Sequence, residues 1–339
     1  MVAPVMKPQG TMLLNRGDVS SLLCLADYVE VVESAFRAYA QGKTLSLGLL
    51  HVDAPDGEFH IKAGGPQQPR TYFGLKVNAG FFQNRQRFGL PNIQGTIMLC
   101  DGENGYPLAL MDSTAITINR TGATTAVAAK YLARPDSHSV TICGCGTQGR
   151  IQLRSLKRIL PIEKAYAFDF DADVAASFAS DMTRELEIEV SAVRDLGSAT
   201  RQSDVCVTCT PARNHFLEQE DVPAGMFVAA IGADSPEKHE IDPRLMASST
   251  VVVDILDQCA EVGELHHAIE AGIIERARVH GELGEIVAGS KPGRASDDEI
   301  IIFDSTGTGL QDAAAAAAVY ERALESGKGT FFDFFADGR

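Results

Sequence analysis

The sequence predicts an α/β protein in two parts: a doubly wound parallel sheet and an α+β part built on a mostly antiparallel sheet. From residue 120 onward, apolar strand-like runs alternate with helical segments, which is typical of a parallel sheet covered on both faces. Between residues 45 and 112, short strand-like runs are separated by Gly, Pro, Asn and Asp, which favours antiparallel strands joined by turns. A glycine-rich segment follows the first strand of the alternating part.

The antiparallel part begins with a predicted helix over residues 26–41. Apolar side chains recur there at helical spacing, at Val29, Val32, Phe36 and Tyr39, and Gly42 ends the pattern. The strand-like runs that follow are GEFHIKAGG, FGLKVNAGFF and GTIMLCDGENGYPLALM.

The alternating part starts with the small-residue helix TTAVAAKYLAR. The β-branched segment 139–143 predicts its first strand, and AYAFD the second. Helices are predicted over 148–160 and 172–186, and further strands near 188–192, 204–209, 226–231, 250–255 and 299–305. The alanine-rich stretch 313–325 predicts a helix that approaches its neighbours closely and returns to the N-terminal part.

Composition narrows the class of protein. A net charge of −15 disfavours binding to nucleic acid or anionic membranes, because like charges repel. No apolar run reaches 18 residues, and the first ten residues lack the basic start and apolar stretch of a signal peptide. Seven cysteines, an odd number, fit a reducing compartment. We therefore expect a soluble, cytoplasmic protein.

No metal site is predicted. Cys206 and Cys209 form a C-x-x-C motif, but they lie within a buried strand-like run and lack a second cysteine pair at zinc spacing. We interpret them, with Cys143 and Cys145, as packing residues.

A dinucleotide-binding loop is predicted after the first parallel strand, where Gly144, Gly146 and Gly149 form G-x-G-x-x-G together with Thr147 and Gln148. The motif follows a strand and opens a helix, which is the context that makes it specific for a Rossmann-type domain. The first glycine permits a tight turn, the second admits the pyrophosphate, and the third allows the helix to pack on the sheet.

An acidic residue predicts which dinucleotide binds. Asp169 ends the second strand, 20 residues after Gly149, where a carboxylate accepts hydrogen bonds from the adenosine ribose and repels a 2′-phosphate. NAD(H) is therefore expected rather than NADP(H). The alternative is a glycine-rich turn in a Rossmann-like domain that binds no dinucleotide.

The order of motifs resembles the ornithine cyclodeaminase/mu-crystallin family from about residue 25 to 325. The segments that carry the resemblance are GLKVNAGFFQN, GLPNIQG, DGENGYPLALMD, NRTGATTAVAAKYLAR, GCGTQGRIQL, TCTPA, IGADSPEKHEID and FDSTGTGLQD. The resemblance implies a substrate-binding and dimerisation domain of residues 1–122 with 312–339, and an NAD-binding Rossmann domain of residues 123–311. It also implies a homodimer formed through the N-terminal sheet, with substrate held between the domains of each subunit.

The resemblance also implies roles for single residues. Lys76 and Arg120 correspond to residues that bind the substrate carboxylate, and Asp234 to an aspartate that works near the substrate amine. A lysine desolvated beside an arginine would have a lowered pKa and could move a proton. On the cofactor side, the resemblance adds contacts at Thr121, Thr210, Ser305 and Gly307. From the residues alone, Lys76 could be a surface lysine, Arg120 a helix-start partner and Asp234 a turn residue.

Two positions depart from the cyclodeaminase pattern. His60 stands where those enzymes have a glutamate, with Lys62 two places on. A further carboxylate-binding arginine has no counterpart in residues 46–51, so Lys62 or Arg70 would have to compensate. A more cationic pocket suits a small or acidic substrate side chain. The alternative is that His60 and Lys62 face water on an alternating strand.

Three functions follow from these observations. The first is an NAD(H)-dependent amino-acid dehydrogenase or imino-acid (ketimine) reductase of the alanine-dehydrogenase kind, acting on a small 2-oxo or imino acid, with ammonia where the reaction needs it. The second is an ornithine cyclodeaminase, which forms proline with catalytic NAD. The third is a mu-crystallin-like protein that binds a dinucleotide and a small ligand. Retention of Lys76, Arg120 and Asp234 disfavours the third, and His60 disfavours the second.

Overall fold

The computed structural model describes residues 10–336, so the start of the chain, on which the signal-peptide argument rested, lies outside the described residues. The chain divides into two compact units. The first unit contains the residues up to Arg120 and those from Thr308 onward, and the second runs from Thr121 to Gly307. The α/β fold class, with one parallel and one mixed sheet, is confirmed.

The first unit is built on a seven-stranded sheet in the order β15-β1-β6-β5-β4-β3-β2. Its strands are β1 (Thr11–Leu14), β2 (Gly48–Ala54), β3 (Gly57–Gly64), β4 (Tyr72–Gly80), β5 (Ile93–Asp101), β6 (Pro107–Asp112) and β15 (Thr330–Phe332). All neighbours pair antiparallel except β1 and β6, which agrees with the mostly antiparallel sheet expected from the turn pattern. Strands β1 and β15 were not predicted from the sequence.

The helices of this unit are α1 (Arg16–Leu22), α2 (Leu25–Ala40), α3 (Asn84–Phe88) and α12 (Gly309–Ser326). Helix α2 buries one face, with Val29, Val32 and Phe36 inward as its periodicity predicted. Ala35 of α2 packs against Leu310 and Ala314 of α12. The alanine-rich helix therefore belongs to the first unit, although it follows the last strand of the second.

The second unit contains an eight-stranded, all-parallel sheet in the order β13-β12-β14-β11-β10-β7-β8-β9. Its strands are β7 (Ser139–Cys143), β8 (Lys164–Phe168), β9 (Glu189–Val193), β10 (Val205–Thr208), β11 (Phe227–Ala230), β12 (Thr250–Val253), β13 (Gly281–Glu282) and β14 (Ile301–Asp304). The order reverses between β7 and β10, which is the switch point at which doubly wound sheets bind ligands.

The helices that follow these strands are α5 (Thr147–Ile159), α6 (Ala172–Leu186), α7 (Leu196–Thr200), α8 (Pro243–Ser248), α9 (Leu256–Val262), α10 (Glu264–Glu270) and α11 (Leu283–Val287). The largest difference from a predicted boundary is at the start of helix α4, which spans Ser113–Leu132 and so begins well before residue 120. The carboxylate of Asp112 accepts a hydrogen bond from the Ala115 backbone N–H and so caps the start of α4. The sequence pattern did not predict this start, because the β-branched residues in the first turns of α4 favour a strand.

The cysteines of the parallel sheet are packing residues. Cys143 and Cys206 are fully buried on neighbouring strands, with their Sγ atoms 4.0 Å apart, and both are free thiols. Across residues 10–336, no helix combines the length and the apolar character needed to cross a bilayer.

Candidate active site

A buried group of charges lies between the sheet and helix α12 of the first unit. Lys62 and Lys76 are directly opposite each other on β3 and β4. The Lys76 ammonium is 2.5 Å from Oδ2 of Asp312, and Arg120 Nε donates to Oδ1 of the same carboxylate at 3.0 Å. Arg120 also donates from Nη1 to Gln311 Oε1 at 3.2 Å. All five side chains are buried, so the charges of Lys62, Lys76, Arg120 and Asp312 interact out of contact with water.

Small residues place Asp312 at this position. A Cβ on Gly74 would lie 2.5 Å from the Ala313 Cβ, and one on Gly309 would lie 2.4 Å from the Ala63 backbone. Helix α12 therefore approaches β3 and β4 as closely as the backbone allows, which explains its run of alanines. This close approach brings the short aspartate side chain within reach of Lys76 and Arg120.

Burial changes the ionisation of this group. Burial, together with the nearby charges of Arg120 and Lys62, lowers the pKa of Lys76 from its usual value to about 7, although Asp312 opposes the shift. Burial alone would raise the pKa of Asp312, but Lys76 and Arg120 outweigh it and hold that pKa below the usual value. A lysine with a pKa near 7 exchanges its proton readily at physiological pH.

The structure shows the surroundings of His60 and Lys62, the two positions that depart from the cyclodeaminase pattern. Lys62 is buried beside Lys76, and only 11% of the His60 side chain is exposed, so the water-facing alternative is wrong for both. His60 Nε2 lies 3.0 Å from Oε1 of Glu58, which is two residues earlier on β3 and therefore on the same face of the strand. Arg70 pairs with Asp101 and lies over the ring of Tyr72, so it is committed elsewhere.

The second unit presents its glycine-rich loop at the switch point of the sheet. Gly144 follows β7 with a φ of 99°, a backbone conformation that favours glycine. A Cβ on Gly149 would lie 2.1 Å from the Gly144 carbonyl oxygen, so this glycine allows α5 to pack against the loop. A Cβ on Gly146 would meet nothing within 4 Å, which leaves open space at the N-terminus of a 13-residue helix. Free backbone N–H groups and the positive end of the helix dipole at such a position attract phosphate.

Four side chains lie in or beside the glycine-rich loop. Asp169 Oδ2 accepts the Cys145 N–H at 2.9 Å, so this carboxylate is held against the glycine-rich loop, whereas Asp171 caps helix α6. Thr147 is exposed at the first position of α5. The Gln148 Oε1 atom is buried and has no hydrogen-bond partner among residues 10–336. An acceptor left unsatisfied beside the open loop is consistent with a ligand that donates to it.

Buried Glu240 fixes the loops after β10 and β11. Its Oε1 accepts both the N–H and the hydroxyl of Thr210, each at 2.7 Å, and its Oε2 accepts the Gly232 N–H at 2.9 Å. Burial raises the pKa of Glu240, while these hydrogen bonds oppose the shift. The backbone of Thr210 is therefore held next to the glycine-rich loop, with the Cys209 N–H donating to the Cys143 carbonyl at 2.9 Å.

Asp254 organises the loop after β14 in the same way. Its carboxylate accepts the hydroxyls of Ser305 and Thr306 and the N–H of Gly307, at 3.1, 3.2 and 2.7 Å. Gln258 donates to the Thr306 hydroxyl and to the Gly307 carbonyl. The geometry of the loop is thus set by Asp254, which directly follows β12, and by Gln258 of α9.

The last two predicted site residues lie in different settings. Asp234 follows β11 and pairs with Lys238, with about a third of its side chain exposed. Thr121 is buried within α4. For both, the role implied by the family resemblance stays a prediction.

Four residues of this description were not found from the sequence: Gln311, Asp312, Glu240 and Asp254. A charged or amide side chain inside an otherwise apolar segment was the available signal, as in LQDAAAAAA and VVVDIL. Each such residue is buried here, and buried polar groups in proteins are nearly always hydrogen-bonded.

The fold and the loop together define a Rossmann-type protein with a dinucleotide-binding turn at the switch point of its sheet. The chain belongs to the ornithine cyclodeaminase/mu-crystallin family, whose model matches residues 9–327.

Named relatives cover almost the whole chain. The alanine dehydrogenase of Archaeoglobus fulgidus is 39% identical over 96% of this chain and 99% of its own length. The iminosuccinate reductase of Paracoccus denitrificans is 33% identical over 91% and 96%.

Solved structures agree with the fold in detail. An archaeal alanine dehydrogenase dimer with bound NAD superposes with a TM-score of 0.91 at 38% identity, over 96% of this chain and 99% of that one. The Δ1-pyrroline-2-carboxylate reductase of Thermococcus litoralis, in complex with NADH and L-proline, gives 0.89 at 34% identity, over 94% and 99%.

Proposed function

We propose that this protein is an NAD(H)-dependent amino-acid dehydrogenase or imino-acid reductase that acts on a small 2-oxo or imino acid. The observation that carries the proposal is the buried group in which Lys62, Lys76 and Arg120 lie together beside Asp312. Cationic side chains brought together out of water bind an anion strongly, and the carboxylate of an amino or imino acid supplies one. The relatives named alanine dehydrogenase and iminosuccinate reductase act on substrates of this class.

The second unit has the features that NAD(H) requires. The open space at Gly146 and the N-terminus of α5 would hold the pyrophosphate, and Asp169 would bind the adenosine ribose. The loops at Thr210 and Ser305–Gly307 would contact the rest of the cofactor. The unsatisfied Gln148 acceptor fits a ligand at the same place. When bound, the cofactor supplies or accepts a hydride.

The residues of the first unit would hold the substrate and move a proton. Arg120 is a forked donor suited to a carboxylate, and Lys62 and Lys76 would add charge beside it. With a pKa of about 7, Lys76 would also give up or recover a proton as the substrate nitrogen or oxygen changes charge. Asp312 would position Lys76 and Arg120 rather than touch substrate, because it pairs with both.

One contact favours net redox chemistry over cyclodeamination. Ring closure of ornithine needs a carboxylate to hold the distal ammonium near the reacting carbon. At the position where the cyclodeaminases have a glutamate, this chain has His60, and the neighbouring acid is Glu58. The Glu58 carboxylate lies 3.0 Å from the His60 imidazole and 3.7 Å from the His51 imidazole, so it already has two partners. Lys62, buried two residues from His60, would repel a second ammonium.

Redox stoichiometry tests this choice. We expect one NADH to be consumed for each 2-oxo or imino acid reduced, with ammonia added where the substrate is an oxo acid. The measurement follows NADH absorbance across a panel of short-chain and dicarboxylic 2-oxo acids, with amino-acid product quantified in parallel. Rapid conversion of ornithine to proline without accumulated NADH would show instead that the protein is a cyclodeaminase. Binding of NADH and substrate without turnover would favour the mu-crystallin-like alternative.

Cofactor preference is expected to depend on Asp169. The wild-type protein should use NADH in preference to NADPH, because a carboxylate at the ribose repels a 2′-phosphate. The preference is measured as kcat/KM with NADH divided by kcat/KM with NADPH. The double substitution Asp169→Ser with Phe170→Arg should lower this ratio by about tenfold or more, a change of about 1.4 kcal/mol. Asp171→Ser is the matched control, because Asp171 caps α6 and its loss should leave the ratio unchanged. Equal use of both dinucleotides by the wild type would contradict the assignment.

A homodimer formed through the first unit is a further part of the proposal. Strand β2 lies at the sheet edge and exposes Leu50 and Val52, an apolar edge that proteins usually cover. The archaeal alanine dehydrogenase structure is a dimer. Light scattering at micromolar concentration should give twice the 36.3 kDa of one chain. Leu50→Glu with Val52→Lys should shift the mass toward one chain, and a wild-type monomer would contradict the proposal.

The cellular setting is also proposed. The seven free thiols fit a reducing cytoplasm, in which the substrate and ammonia would be small solutes.

A further inference from the structure

Four possible metal ligands lie on one face of the β2–β3 hairpin. In the antiparallel register His51 is directly opposite His60, and Asp53 is directly opposite Glu58. Side chains two residues apart on a strand point to the same face, so all four project together. We call these four residues the hairpin cluster. Ligand atoms of His51, Glu58 and His60 all lie within 4.8 Å of one another.

The distances within the cluster approach those of a tetrahedral site. His60 Nε2 is 3.0 Å from Glu58 Oε1, His51 Nε2 is 3.7 Å from Glu58 Oε2, and His51 Nε2 is 3.0 Å from Asp53 Oδ1. Ligands bound to zinc at about 2.0–2.1 Å in a tetrahedron are about 3.3 Å from each other. Small side-chain rotations would therefore bring the nitrogen and oxygen atoms to bonding distance around a common centre.

We propose that the hairpin cluster is a binding site for one divalent ion of the zinc class, with His51, Glu58 and His60 as ligands and Asp53 as the fourth. Two neutral imidazoles and two carboxylates carry a charge of −2, which the ion neutralises. Nitrogen and oxygen donors in equal number suit zinc and its neighbours better than Mg²⁺ or Ca²⁺, which prefer oxygen. The ion would tie edge strand β2 to β3, in addition to the backbone ladder.

Two other groups in the described residues meet the same distance criterion but are less suited to a metal. In the group of His215, Glu218 and Asp242, the aspartate caps α8 and pairs with Arg244, which neutralises it. In the group of His266, His267 and Glu270, the His267 Nε2 atom lies 2.8 Å from the Lys238 carbonyl and so is already engaged. In the hairpin cluster no carboxylate is paired with an arginine and no imidazole is bonded to a backbone carbonyl among the contacts described. Its ligands come from two paired strands, whereas His266, His267 and Glu270 all lie on the short helix α10.

Zinc titration of the full chain, after treatment with a chelator and its removal, tests the proposal. We expect calorimetry to show one Zn²⁺ per chain with a dissociation constant of about micromolar or below, and Co²⁺ to give the visible absorption of a tetrahedral site. His51→Ala and His60→Ala should each weaken binding by more than about 100-fold, since even residues that only support ligands contribute 10–100-fold. Zn²⁺ should also raise the melting temperature of the wild type but not of these variants.

His215→Ala and His266→Ala are the matched controls, and both should bind zinc like the wild type. Circular dichroism in the presence of chelator checks that each variant is folded. His51→Gln serves as a second variant, because glutamine is polar and similar in size to histidine but is a poor zinc ligand, and it should lose zinc binding like His51→Ala. Zinc binding that persists in the His51 and His60 variants, or that disappears in either control, would overturn the proposal, as would the absence of binding at millimolar Zn²⁺.

Discussion

Replacing Lys76 with methionine is expected to abolish turnover and to leave NADH binding nearly unchanged. The ammonium supplies both a charge for the substrate carboxylate and an exchangeable proton. A charge-assisted hydrogen bond contributes about 1.5–3 kcal/mol, and a positioned proton donor about 10²–10⁴-fold in rate. We therefore expect kcat/KM for the 2-oxo acid to fall by about 10³-fold or more. Methionine fills a similar volume, and Arg120 still pairs with Asp312, so the unit should fold.

Steady-state kinetics and NADH fluorescence titration measure the two effects separately. Lys43→Met, at an exposed position of the same unit, is the control and should behave like the wild type. Normal activity in the Lys76 variant would remove this residue from the mechanism.

The pH dependence of substrate binding follows from the same lysine. With a pKa of about 7 in the folded protein, Lys76 is charged below pH 7 and loses its charge as the pH rises through that value. A 2-oxo acid is an anion throughout this range, so its affinity for the enzyme–NAD⁺ complex should weaken above about pH 7. Lys76→Arg keeps its charge at every pH tested, and its affinity should be flat over the same range. A flat wild-type profile would contradict the role of Lys76 as the titrating cation.

The second large effect is expected at Asp312. Asp312→Asn removes the carboxylate that pairs with both buried Lys76 and buried Arg120. Breaking a buried ion pair from one side costs about 3–5 kcal/mol, so the free energy of unfolding of the first unit should fall by that amount. Urea denaturation followed by far-ultraviolet circular dichroism measures it.

Two further variants separate this effect from a general loss of charge. Asp56→Asn breaks the exposed pair with Arg87 and should cost no more than about 1 kcal/mol. Lys76→Met combined with Asp312→Leu removes both partners of the close pair and should be less destabilised than Asp312→Asn alone. A loss below 1 kcal/mol in Asp312→Asn would show that the cations find other partners.

Local patterns predicted seven of the eight strands of the second unit, together with helices α5 and α6. These strands are short and apolar and alternate with helices, so their own residues encode them. Strand β13 and the short helices α7, α8, α9 and α11 were not predicted. The strand at 139–143 and the helix at 172–186 have the predicted boundaries, and the glycine-rich loop follows the first strand as expected. The mixed sheet of the first unit was also foreseen. Strands β1 and β15 were not, because three or four residues carry too little pattern and depend on pairing with each other.

Tertiary structure decided how the charges of the site are arranged. Lys76, Arg120 and Asp312 are far apart in the sequence, and only the close packing of α12 on β4 brings them together. The pKa of Lys76 depends on this burial, which sequence spacing does not express. Likewise, the register between β2 and β3 places His51 opposite His60. The sequence thus determined the fold class, the family and the dinucleotide loop. Side-chain neighbours across strands and helices, which depend on long-range packing, were decided by the folded chain alone.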